Sequence, residues 1–127
     1  MGTRSFGAVV VVFLLAATLG AEDEKAKQEP SYWMKQKLSY AQQVLNGLAQ
    51  EDYERISKAA TAMKGLNTIE FFVRQRPEGY RTQLKAFQFS VEELARNAQD
   101  ENLDGATLAF TQMTLSCVNC HKELRKE

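Results

Sequence analysis

From Ser31 onward, apolar side chains return every three or four positions, the spacing that places them on one face of an α-helix. The first stripe, Met34, Leu38, Ala41, Leu45 and Leu48, predicts a helix from about Ser31 to Gln50, with Pro30 and Ser31 suited to its start. A second helix begins near Asp52, turns Tyr53, Ile56, Ala60 and Met63 inward, and is expected to break at Gly65 and Asn67. Thr68 would then open a short piece, TIEFFVRQ, whose Ile69, Phe71, Phe72 and Val73 would cover one end of the core. The plainest interruption is Arg76-Pro77-Glu78-Gly79, because proline disfavours helix at the residue before it and glycine frees the turn. A third helix, from about Glu78 to Gln99, carries Leu84, Phe87, Val91, Leu94 and Ala98 inward. A last one, starting around Asn102 to Asp104, aligns Ala106, Phe110, Met113, Cys117, Cys120 and Leu124. No alternating stretch long enough for a strand and no internal repeat interrupts this pattern. Four stripes joined by short loops predict an all-α fold, an antiparallel up-down-up-down four-helix bundle over residues 31–127.

Ahead of the bundle the pattern changes twice. Residues 1–21 place Arg4 before an apolar and small-residue run, Phe6 to Leu19, and close on Gly20 and Ala21. That order predicts a cleaved secretory signal, and the run is short of the ~20 apolar residues of a membrane span. Residues 22–30, EDEKAKQEP, form a charged leader without a large apolar side chain. The expected location is therefore the periplasm, with membrane association only if the signal stays uncleaved. Sixteen basic and sixteen acidic side chains balance over the whole chain. A neutral chain lacks the broad positive surface that non-specific nucleic-acid binding needs, so nucleic acid is not an expected partner.

The chemistry is concentrated in Cys117-Val118-Asn119-Cys120-His121, which holds both cysteines and the single histidine of the chain. C-x-x-C-H is the attachment pattern of a c-type haem. Two cysteines three apart can form thioether bonds to the two vinyl groups of one porphyrin, and the following imidazole is an axial iron ligand. On a helix these side chains reach one edge of a flat ligand. Two haem-free readings compete. A Cys117–Cys120 disulfide of the thioredoxin type belongs after a strand in a βαβ unit, which the pattern lacks. A zinc site would have only three ligands.

In helix order and motif placement, Ser31 to Lys126 resembles the cytochrome c-prime superfamily of four-helix-bundle haem proteins. CVNCHKELR matches the family's motif near the end of the last helix, including a basic residue, Arg125, four positions after the histidine. The resemblance implies one covalently attached haem c, a proximal His121 and distal residues from the first helix. Low-spin relatives take a methionine from that helix and carry electrons; high-spin ones leave the position open and bind nitric oxide or carbon monoxide. Met34, near the start of the first helix, is the candidate distal ligand, because the first and fourth helices of such a bundle run in opposite directions. Leu38 is the apolar cover if Met34 does not ligate, while Met63 and Met113 read as core.

Arg125 is a proximal residue by resemblance and an ordinary cation of a helix's last turn by electrostatics. Trp33, Phe71, Phe72, Phe87, Phe89 and Phe110 could cover a porphyrin or simply fill a core. Arg74, Arg76, Arg81 and Lys85 could pair with haem propionates or form a solvated face. Without a second histidine, or a carboxylate on the first helix's inward stripe, no acid and base pair for peroxidase chemistry is evident, and the chain does not read as an enzyme. The expectation is an exported mono-haem c-type cytochrome for electron transfer with extracytoplasmic redox partners; the alternative is a gas-binding haem protein. Some members pair through their first helices, which leaves a homodimer open.

Overall fold

The computed structural model describes residues 31–73 and 77–126. The signal-like residues 1–21, the leader 22–30, Arg74 and Arg76 lie outside the described residues. Four helices follow one another: α1 (Tyr32–Gln50), α2 (Tyr53–Val73), α3 (Glu78–Gln99) and α4 (Leu103–Leu124). Consecutive helices pack side by side, giving the all-α four-helix bundle. The connections are short because capping groups sit where the chain turns. Asp52 Oδ1 accepts from the Arg55 N–H at 2.9 Å, and Asn102 Oδ1 accepts from the Gly105 N–H at 3.0 Å, each satisfying a first-turn donor. Glu51 and Glu101, both at φ 54°, hold the left-handed conformation that ends a helix and is usually left to glycine.

The core runs the length of the bundle through Val44, Ile56, Ala60, Met63, Phe87, Val91, Leu94, Ala98, Ala106 and Met113. The α3 expectation holds in both boundaries and buried positions: Leu84, Phe87, Val91, Leu94 and Ala98 are all buried. On α4, Ala106, Met113 and Cys120 are buried and Phe110, Cys117 and Leu124 are half-buried, with Ala109 and Ser116 added to the face. Small side chains let α4 approach α3, its most extensive neighbour. The buried Ser90 and Ser116 hydroxyls donate to Ala86 O and Gln112 O one turn back, so neither is left unsatisfied there.

Two expectations are corrected. On α1 the buried positions are Lys37, Val44 and Gly47, whereas Leu38 and Leu45 are 58% and 57% exposed and Met34 is half-buried. The heptad Met34, Leu38, Ala41, Leu45, Leu48 is one flank of the helix, not its inward stripe. Gly47 decides the rotation: a side chain there would stand 2.7 Å from Ile56 Cγ1, so only glycine lets α1 and α2 meet this closely. The second correction concerns α2, which runs unbroken through Gly65 and Asn67 to Val73. Along its length Ile56, Met63 and Glu70 recur at seven-residue spacing, as do Ala60 and Asn67, and all five are buried. The TIEFFV stretch therefore turns Glu70 inward and leaves Ile69, Phe72 and Val73 exposed, with Phe71 alone half-buried against the second core cluster.

Candidate functional site

The attachment motif lies in the last turns of α4. Cys120 is buried against Tyr80 and Leu84 of α3, Cys117 is half-buried against the main core, and His121 is exposed. No disulfide joins the two cysteines. At about 100° per residue, His121 lies about 40° around the helix from Cys117, on the same flank as Phe110 and Thr114. Burial pushes the Cys117 thiol above its ordinary range, and the nearby Lys37 ammonium pulls less strongly the other way.

Antiparallel order brings the start of α1 to the motif end of the bundle, yet α1 and α4 pack only sparsely. The polar flank of α1 faces α2, where Asn46 accepts from Arg55 and Gly47 meets Ile56. The flank carrying Met34, Leu38, Ala41, Leu45 and Leu48 lies on the other side of α1, with Ala41 and Leu48 partly packed on the core and Leu38 and Leu45 exposed. On the α4 side Cys117 is half-buried and His121 exposed, while the Cys120 thiol is turned toward Tyr80 and Leu84 of α3.

A buried polar cluster is drawn from three helices. Lys37 Nζ lies 2.6 Å from Glu70 Oε2, donates to Asn67 Oδ1 at 3.0 Å and stands 4.5 Å from the centre of the Phe87 ring. Tyr80 Oη donates to Glu70 Oε1 at 2.6 Å, and Asn67 Nδ2 donates to Leu84 O and Gln88 Oε1. Glu70 has no exposed surface and Lys37 is 8% exposed. A buried pair of opposite charges, each with further hydrogen bonds, avoids the cost of an isolated buried ion.

The sequence expectations missed this cluster. Its signal was present: Lys37 stands seven residues before Val44, and Asn67 and Glu70 stand seven after Ala60 and Met63, so polar residues occupy apolar-stripe positions. Among the aromatic candidates, Phe87 is in the core and Phe110 flanks it, Trp33 is half-buried, and Phe72 and Phe89 are exposed. Arg81 lies over the Phe71 ring at 4.7 Å and, like Lys85 and Arg125, is exposed. Met63 and Met113 are buried in the core, as expected.

Among the described residues, no three His, Cys, Asp or Glu side chains form a group able to hold a metal ion. The donor set that does exist, one imidazole beside two thiols, suits a macrocycle that brings its own four nitrogens and needs one protein ligand on one face. The residues present thus fit a thioether-linked haem in their chemistry. No described helix is long and apolar enough to cross a membrane. No family model, curated protein or solved structure matches the chain.

Proposed function

We propose that this protein is an exported mono-haem c-type cytochrome of the c-prime type, carrying electrons between redox partners outside the cytoplasm. The feature that supports the reading is CVNCH in the last turns of α4, where Cys117 is half-buried, His121 is exposed on the same side of the helix, and α1 packs only sparsely against α4. A haem bound there would supply a one-electron couple. The chain's own residues do the rest. Cys117 and Cys120 hold the ring covalently, and His121, exposed and outside the core, is available to ligate without disturbing packing. The Lys37–Glu70 pair adds no net charge to the interior while fixing α1, α2 and α3 around it. Residues 1–21 direct export, which brings the chain to the haem-attachment machinery.

One observation favours the gas-binding alternative. The α1 side chain that enters the bundle near Cys117 is Lys37, already engaged by Glu70 and Asn67, whereas Met34 is only half-buried on the flank. In that reading the position opposite His121 stays open for carbon monoxide or nitric oxide.

Optical spectra of protein matured with haem-attachment machinery, oxidised and reduced, with and without carbon monoxide, decide between them. Covalent haem on a denaturing gel, lost in the Cys117→Ser/Cys120→Ser variant, is the expected result; its absence overturns the proposal. A low-spin spectrum unresponsive to carbon monoxide and altered by Met34→Ala means methionine ligation and electron carriage. A high-spin spectrum shifted by the gas means an open distal position.

A further inference from the structure

The neutrality of the whole chain hides a separation of charge along the bundle. Because neighbouring helices are antiparallel, the start of α1, the end of α2, the start of α3 and the end of α4 meet at one tip. The half containing that tip comprises residues 31–41, 63–73, 77–88 and 114–126, and its described residues hold eight Lys or Arg against three Asp or Glu. The other half, residues 42–62 and 89–113, holds three against eight. The halves therefore sum to +5 and −5, or +4 and −4 once the Lys64–Glu92 pair, 3.1 Å apart across their boundary, is set aside.

The cations of the first pole are solvent-facing: Lys35, Arg81, Lys85, Lys122, Arg125 and Lys126 are all exposed, while Glu70 is buried against Lys37. Lys126 is paired with Glu123 at 2.6 Å. The same tip exposes apolar side chains. Phe72 is 78% exposed, and Val118, between the two motif cysteines, is 46% exposed.

Distance makes the separation effective. A helix of 22 residues is about 33 Å long, which puts the centres of the two halves about 16 Å apart. The screening length at physiological salt is about 8 Å, so a molecule approaching the motif tip meets the positive pole alone. Potentials of this kind steer charged partners and raise association rates by about 10- to 1,000-fold at low salt.

We propose that the tip carrying CVNCH is a docking surface for an acidic redox protein, one whose electron-exchange site is ringed by Asp and Glu. This rests on the haem reading for its purpose but on charge alone for its geometry. Apolar side chains set among exposed cations match an interface with an apolar centre and a polar, charged rim. A second copy of the chain is the weaker occupant of the tip, because end-to-end contact is head-to-tail and closes no small symmetric assembly, while a side-by-side antiparallel pair leaves the tip itself uncovered.

The test uses the full mature chain and poly-L-glutamate as an acidic probe. Amide shifts should map onto residues 31–37, 78–85 and 114–126 and weaken as ionic strength rises from about 0.01 to about 0.15 M. Lys122→Glu/Lys126→Glu should weaken binding about tenfold, whereas Lys58→Glu, at the opposite pole, should not. With haem attached, one-electron oxidation of the reduced protein by hexacyanoferrate(III) should slow with salt, while oxidation by the cationic tris(phenanthroline)cobalt(III) should speed up. Equal salt response of both oxidants, or shifts spread over both poles, overturns the proposal. So does concentration-dependent polymerisation at low salt, which assigns the tip to a second copy, and so does preferential binding to phosphatidylserine vesicles, which assigns it to a membrane. Absence of covalent haem on the gel sinks the cytochrome reading but leaves the glutamate titration to judge the surface.

Discussion

Removing Glu70 alone should destabilise the bundle far more than removing it together with Lys37. Glu70 is fully buried, and its carboxylate meets Lys37 Nζ at 2.6 Å and the Tyr80 hydroxyl at 2.6 Å. At that separation, with an effective dielectric constant near 20, the gross attraction is about 6 kcal/mol, against several kcal/mol of lost hydration for each ion. The net value of the pair is small, but the value of completeness is large. Glu70→Leu leaves an ammonium buried against Phe87 and Asn67, and Lys37→Met leaves the carboxylate; each should cost about 3–5 kcal/mol. The double variant Lys37→Met/Glu70→Leu strands no charge. Its loss is limited to the hydrogen bonds that Tyr80 gives Glu70 and that Lys37 gives Asn67 Oδ1, about 1–3 kcal/mol, offset in part by the added apolar burial. The coupling energy should therefore reach several kcal/mol, well beyond the ~0.5 kcal/mol scatter of independent sites. Urea denaturation followed by far-ultraviolet circular dichroism, at equal m-value, measures it. Additive single effects, or singles costing under about 1 kcal/mol, would refute a dry, mutually dependent pair.

Three smaller perturbations test other parts of the structure. Gly65 lies within α2 with open space around it, so Gly65→Ala should stabilise by about 0.5–1 kcal/mol; a loss instead would mean that α2 breaks there. Gly47→Ala should cost about 1–3 kcal/mol, because its methyl group would press on Ile56 and on the Asp52 carbonyl; a thermal melt unchanged from wild type would contradict the close α1–α2 approach. In the haem-free protein, burial raises the Cys117 pKa, so the folded state holds its proton longer than the unfolded chain. Stability is then complete below the ordinary thiol range and declines as pH climbs above about 9, where the unfolded thiol ionises first. Melts across this range should show an alkaline loss that Cys117→Ser reduces.

How far the fold was legible depended on whether a residue's partner was near in sequence. On α3 the inward positions apart from Ser90 carry apolar or aromatic side chains at heptad spacing, and the expected boundaries match the structure, with every expected inward residue buried. On α1 the most regular heptad, Met34 to Leu48, belongs to a flank, and periodicity could not reveal this because two apolar phases share the helix. Gly47 against Ile56, and Lys37 against Glu70, select the phase. On α2, Gly65 and Asn67 have the chemistry of a helix end. The helix continues because Asn67 spends its side chain on Leu84 O, Gln88 and Lys37 instead of on its own backbone.

The sequence by itself determined the all-α class, the bounds of α1 and α3 and the chemical repertoire, since periodicity, turn residues and C-x-x-C-H are all local signals. Tertiary structure alone decided which face of α1 is buried, that Lys37 and Glu70 meet, that Cys120 packs on Tyr80 and Leu84, and that a neutral chain has two opposite poles. Each of these depends on antiparallel packing, which sets residues 30 or more positions apart side by side, beyond the reach of any local spacing rule.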